Sequence, residues 1–140
     1  MRITPQTYAF TTVTYQRHRV FQRTANADIM IATIARYREK GELLLHAFVI
    51  MPDHIHIILT PKESIERAAN LIKGGSSFAL RKSYPGEIWQ PGYHEHRIRN
   101  AEDLAAQTQY ILTNPTRKNV TDYPHIHTAH LHLIDPCQLT

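Results

Sequence analysis

A chain of 140 residues with 42% hydrophobic and 20% charged residues is long enough to bury a core and too apolar for a disordered tract. Its one cysteine, Cys137, excludes an internal disulfide and a thiolate-rich zinc cluster, and no apolar run approaches the roughly 20 residues of a membrane span. A net charge of +4 leans towards a polyanionic partner, and the polar opening "MRITPQTYAF" is unlike a signal peptide, so a cytoplasmic setting is expected.

In chain order, "YAFTTVTYQ" (8–16) mixes aromatic and β-branched residues and predicts a strand. Apolar residues recur at helical spacing from Ala27 to Lys40 (Met30, Ile34, Tyr37), with Gly41 as the stop. "ELLLHAFVIM" (42–51) is apolar on both faces, the pattern of a central strand. Pro52–Asp53 marks a tight turn into a second strand, "HIHIILT" (54–60). A second helix is predicted from Ser64 to about Lys82, interrupted near Gly74–Gly75. "GYHEHRIR" (92–99) predicts a further strand, and Ala101 to Asn114 a third helix ended by Pro115. With no repeat or linker, residues 1–140 read as one domain, with 121–140 a tail of unassigned role. The order β-α-β-β-α-β plus a helix predicts an α+β, ferredoxin-like (RRM-like) sandwich: an antiparallel sheet, helices on one face, and a C-terminal helix. That fold hosts many functions and decides none.

Eight of the ten histidines sit in His-x-His pairs: His54/His56, His94/His96, His125/His127 and His130/His132. Strand alternation puts His54, His56, Ile58 and Thr60 on one face, the two imidazoles about 7 Å apart and able to converge on one cation. An arbitrary pair of this kind is more often simply exposed or satisfied by neighbours. The last two pairs follow Pro124 in a tail with no evident partner. His94 and His96 lie on a predicted strand beside basic residues, and spacing alone does not separate them from His54 and His56. On the third helix Leu104, Thr108, Ile111 and Leu112 form an apolar arc, while Asp103, Gln107, Tyr110 and Asn114 form a stripe beside it. A tyrosine beside a core face is usually packing. This one carries an amide one turn away.

"FVIMPDHIHIILT", "IKGGSSFALRK", "EIWQPGYHEHRIR" and "YILTNPTRKNV", taken together, resemble the single-tyrosine HUH transposases of the insertion-sequence-200/605-like superfamily. The Asn–Pro after the tyrosine is most similar to the REP-associated tyrosine transposases. The resemblance runs from about Tyr8 to Val120. It implies that His54 and His56 bind a divalent metal, that Tyr110 is the nucleophile, and that Asn114 stands where the family has a polar third ligand. Position 53 is often asparagine in that family, and Asp53 is a departure.

The implied activity is a metal-dependent DNA transposase that nicks and rejoins single-stranded, hairpin-containing DNA through a 5′-phosphotyrosine. A phenol, with a pKa of about 10, is a poor nucleophile and a phosphodiester a poor electrophile; a cation at the phosphate relieves both difficulties. Two imidazoles and an amide oxygen are neutral ligands suited to Mg²⁺ or Mn²⁺. Phosphate contacts are expected from Arg17, Arg19, Arg23, Arg81 and Lys82, and from Arg97, Arg99, Arg117 and Lys118. Trp89 and Tyr93 are candidates for stacking on unpaired bases. A nucleoid-associated monomer or homodimer is compatible with this, and Gly74–Gly75 or Gly92 could let the tyrosine helix move. Two rivals remain: an idle hairpin-binding module of the same fold, and a histidine-triad nucleotide hydrolase, which needs a third histidine where Ile58 stands.

Overall fold

Strands β1 (Tyr8–Val13), β2 (Leu43–Met51), β3 (His54–Pro61) and β4 (His94–Arg97) pair antiparallel in the spatial order β2-β3-β1-β4. Helix α1 (Thr24–Glu39) joins β1 to β2 and α2 (Ile65–Leu80) joins β3 to β4, each crossing over one intervening strand. A third helix, α3 (Ala101–Arg117), follows β4. The α+β ferredoxin-like arrangement expected from the element order is therefore the fold. The structure is a computed structural model that describes residues 5–117, except the Arg117 side chain, and residues 123–137.

Local chemistry accounts for the helix ends. Gly41, at φ +78°, closes α1 with its N–H on the Arg38 carbonyl, while the Glu42 N–H reaches the Tyr37 carbonyl. The Ser64 hydroxyl accepts from the Arg67 N–H at 3.0 Å and opens α2. Asn100 does the same for α3 through the Asp103 N–H at 2.8 Å.

Strands β1 to β3 are covered on both faces, and the two sides differ. Towards α1 and α2, Phe10, Leu45, Phe48, Ile50, Ile55, Ile57 and Leu59 pack on Met30, Ile34, Ala69 and Ile72. Towards α3, Ala9, Ala47, Val49, Met51 and Ile58 meet Ile111, Ile98 and Ile126. A register shift between Leu45 and Ala47 leaves His46 as the extra residue of a bulge, which flips the side-chain parity of β2. Ala47, Val49 and Met51 thereby face α3.

Several local expectations give way to tertiary contacts. Helix α2 runs unbroken through Gly74–Gly75. A Cβ at Gly75 would overlap the Tyr37 ring, so that glycine is where α1 approaches α2, not a break. Pro115 does not end α3; it lies buried in the last turn, where the ladder hydrogen bond it removes is one of the last of the helix. β2 is an edge strand by pairing, and its double-sided apolar pattern reflects helices on both faces. β1 stops at Val13, where the chain turns through Gln16 and Arg17 at positive φ, and β4 covers only the middle of the predicted 92–99.

The C-terminal segment has a partner after all. It lies along the outer edge of β2: Ile50 N–H donates to the His125 carbonyl at 2.8 Å, Ile126 bridges Val49, and Asp135 N–H donates to the Leu45 carbonyl at 2.6 Å. The Asp135 carboxylate takes a two-pronged hydrogen bond from Arg38, at 2.9 and 2.8 Å. His125 and His127 are buried in this contact. The sequence offered no periodicity to reveal it, because backbone groups make the attachment.

Candidate active site

The alternation of β3 sends Ile55, Ile57 and Leu59 into the α1/α2 core and His54, His56 and Ile58 to the α3 side. Each imidazole is fixed through its Nδ1. The Asp53 carboxylate sits 2.8 Å from His54 Nδ1, and the Thr11 hydroxyl 2.6 Å from His56 Nδ1. Ligation of a cation by either ring therefore falls to Nε2. Burial pushes the Asp53 carboxyl up, but hydrogen bonds and charge from His54 and Arg17 outweigh it and leave the pKa below the ordinary carboxylate value. Neither Thr11 nor Asp53 was expected to contribute. Asp53 adjoins His54 in sequence, whereas Thr11 is visible only once the β1–β3 register pairs it with His56.

Helix α3 lays its polar stripe along the same face. The Tyr110 ring, 51% exposed, stands 5.4 Å from the His56 ring. Asn114, one turn on and 2% exposed, brings its amide Nδ2 to 3.5 Å from His54 Nε2. Half a rotation of that amide puts Oδ1 in the same place. Asn114 is thus inside the helix and turned towards His54, not a terminal cap. At the other end of the stripe, Asp103 accepts from His96 Nε2 at 2.8 Å and from the Arg99 N–H at 3.1 Å, and Gln107 also bonds to it. His96 is thereby a tie between β4 and α3, while His94 is exposed opposite Thr11. Among the described residues no three His, Cys, Asp or Glu side chains converge on a metal-sized gap.

A family model described as "Transposase IS200 like" matches residues 3–114. The chain belongs to the IS200-like transposase family. This IS200-like chain is 27% identical over 119 residues to the REP-associated tyrosine transposase of Escherichia coli K12, spanning 82% of this chain and 72% of that protein. A Haemophilus influenzae protein provisionally described in the same words is 31% identical over 97 residues, 56% of this chain and 55% of its own length. In structure the chain resembles a REP-associated tyrosine transposase bound to a REP hairpin, with a TM-score of 0.76 at 23% identity over 100% of this chain and 90% of that one. That likeness carries the fold.

Within this IS200-like chain, the predicted DNA-contacting residues separate by position. Residues 14–23 are clamped over the Pro52–Asp53 turn, with Thr14 N–H on the Asp53 carbonyl at 2.9 Å and Phe21 N–H on the Pro52 carbonyl at 3.0 Å. This leaves Arg17, Arg19 and Arg23 exposed next to the histidine strand, with Arg17 3.3 Å from Asp53. Tyr84 hydrogen-bonds His18 at 2.9 Å and brings the exposed Arg81 and Lys82 to the same end. Arg97 and Arg99 are exposed at β4 and beyond, Arg117 contributes only its backbone to the described structure, and Lys118 lies outside the described residues.

Of the two aromatic candidates, Trp89 is corrected and Tyr93 is partly exposed. Trp89 is 6% exposed, rings with Phe21 and donates Nε1–H to the Ser76 hydroxyl at 2.9 Å, so it is core and offers no stacking face. Tyr93 packs on Phe10, on the α1/α2 side of the sheet and away from the histidines. Among the described residues no helix is long and apolar enough to cross a membrane.

Proposed function

We propose that the chain nicks and rejoins single-stranded, hairpin-containing DNA, with Tyr110 as the nucleophile. One observation carries the reading: a single helix sets a half-exposed phenol against His56 and a buried amide against His54. Membership of the IS200-like family supports it, as does the REP hairpin held by the structural relative. The donor set fits a hard divalent cation: two imidazole Nε2 atoms held by Asp53 and Thr11, plus the Asn114 amide oxygen, all neutral. Mg²⁺ or Mn²⁺ held by His54, His56 and Asn114 would supply positive charge at a non-bridging phosphate oxygen.

In the proposed reaction Arg17, Arg19 and Arg23 hold the DNA backbone beside the His54 end of β3. Tyr110 Oη loses its proton and forms a bond to phosphorus in line with the departing 3′-oxygen. The P–O3′ bond breaks, and that oxygen leaves as a 3′-hydroxyl after gaining a proton. The 5′-phosphate stays on Tyr110 as an ester, so another 3′-hydroxyl reverses the step and joins strands without an external energy source. Tyr110 faces His56 of the same chain, so the proposed step needs no second copy.

The test is incubation of the protein with single-stranded hairpin DNA and Mn²⁺, followed by denaturing electrophoresis for a covalent protein–DNA adduct. The wild type should form it. Tyr110→Phe should bind the hairpin with unchanged affinity and form none, because the ring's packing is kept and only the hydroxyl is lost. An adduct of normal yield in Tyr110→Phe would refute the assignment, and hairpin binding with no adduct in the wild type would mark an idle binding module.

A further inference from the structure

A cleft of about 520 Å³ opens beside the candidate site, and its walls come from three separate stretches of chain. The Met51–His54 turn forms one side, Arg19, Phe21, Gln22 and Thr24 another, and Tyr123–His125 the third. That third wall lies beyond the part of the chain the family model matches. It is built by the attachment of the C-terminal segment to β2, through the hydrogen bond between Ile50 N–H and the His125 carbonyl.

The chemistry of the walls is selective. Tyr123 donates its hydroxyl to the Ile50 carbonyl, which pins the ring, and burial pushes its pKa up to about 12, so the phenol stays neutral. His125 meets that ring edge-on at 5.1 Å. The His125 side chain is 6% exposed, and its Nδ1 has no hydrogen-bond partner among the described residues. Such an orphaned buried nitrogen is uncommon in a folded protein. Burial also pushes the His125 pKa down, which keeps the ring neutral with one donor and one acceptor. Gln22 and Arg19 are exposed at the rim, and neither side chain makes a hydrogen bond among the described residues. The one carboxylate, Asp53, is engaged by His54 and Arg17. Aromatic surface, an amide, an uncommitted guanidinium and a neutral imidazole form the kind of lining that reads a flat heterocycle with mixed donors and acceptors.

We propose that this cleft takes the base of an unpaired nucleotide neighbouring the phosphate that lies at His54. The proposal rests on the reading of the chain as a single-strand transposase and adds to it a protein-borne contact to one base. His54 lines the cleft and also belongs to the candidate cation site, so a strand whose phosphate sits at His54 has its adjacent base within reach. The cleft falls within the range of about 300–1,000 Å³ usual for small-ligand sites, room enough for either base size. The C-terminal segment thereby becomes part of the substrate-binding surface.

The full chain can be titrated with dAMP, dCMP, dGMP and dTMP, and with deoxyribose 5-phosphate, following the ring resonances of Tyr123 and His125 by NMR. At least one nucleotide should bind about tenfold or more tightly than the base-free sugar phosphate. Gln22→Ala, which removes an exposed amide and no packing, should reduce that preference about threefold or more. Equal binding of the sugar phosphate would make this a phosphate site and overturn the proposal, as would nucleotide binding that leaves Tyr123 and His125 unmoved, or no response at millimolar concentration. The adduct assay separates this inference from its premise. A tyrosyl adduct without nucleotide binding refutes the cleft alone, and nucleotide binding without an adduct refutes the transposase reading alone.

Discussion

The two faces of the sheet are covered by helices, yet they are built to opposite specifications. Against α1 and α2 the strands present large apolar side chains, and even the aromatic Trp89 is drawn into that layer. Against α3 the same strands present the small Ala9, Ala47 and Val49 beside Met51 and Ile58, with Thr11, His54 and His56 among them, and α3 answers with Ile111 and the buried Asn114. The first face supplies stability. The second gives up packing area to make room for imidazoles, a hydroxyl and a half-exposed phenol. A polar, accessible surface on a sheet costs packing, and this chain manages it by making the opposite face carry the fold.

Core truncation should break the comparison most sharply. Ile57→Ala on the α1/α2 face should destabilise by about 2–5 kcal/mol in urea denaturation, the usual range for a fully buried aliphatic residue. Leu104→Ala on α3, only partly buried, should lose about 1 kcal/mol. Equal losses would mean that α3 contributes as much to the fold as the helix pair does.

A smaller effect is expected from Thr11→Val, which keeps shape and removes the hydroxyl beside His56. The fold should remain within about 1.5 kcal/mol of wild type. The Mn²⁺ concentration for half-maximal adduct formation should rise about 10- to 100-fold, the usual consequence of losing the group that orients a metal-binding histidine. An unmoved Mn²⁺ dependence would leave Thr11 as a packing residue.

Smallest is the tie between β4 and α3. The hydrogen bond from His96 holds the Asp103 carboxyl below its ordinary range, outweighing burial, with help from the Arg99 N–H. A depressed carboxylate stabilises the fold above its unfolded-state pKa of about 3.9 and loses that contribution as pH falls through the folded-state value. Asp103→Asn should therefore cost under about 1 kcal/mol at pH 7, since His96 is half exposed. The gap between variant and wild type should close below about pH 4. A gap that persists into acid would assign the loss to something other than this carboxylate.

What was legible in the sequence is what depends on one element alone. The parity of β3 sorts His54 and His56 from Ile55 and Ile57, and the turn of α3 aligns Tyr110 with Asn114, both by local periodicity. The element order was enough for the fold. What was hidden depends on partners remote in sequence. Thr11 needs the β1–β3 register, Trp89 is removed from the surface by Ser76 on α2, and His125 and His127 are buried where the backbone hydrogen-bonds to β2. Gly75 and Pro115 carry strong local signals that Tyr37 and the buried helix end override. His94/His96 and His54/His56 look alike as text and part only when β4 proves to be an exposed edge.

Helix α3 bears its functional groups as rungs on a ladder: Asp103 at His96, Tyr110 at His56, Asn114 at His54. A helix can slide along a sheet, and one turn of slip is about 5.4 Å. Such a slip would set Tyr110 level with His54 and carry Asn114 past the strand, removing phenol and amide from their stations in one movement. The His96–Asp103 tie and the Ile111 anchor thus act as index pins. They give the site a register in the sense that paired strands have one. Loosening either pin would not tune the chemistry by degrees; it would engage or disengage both groups together.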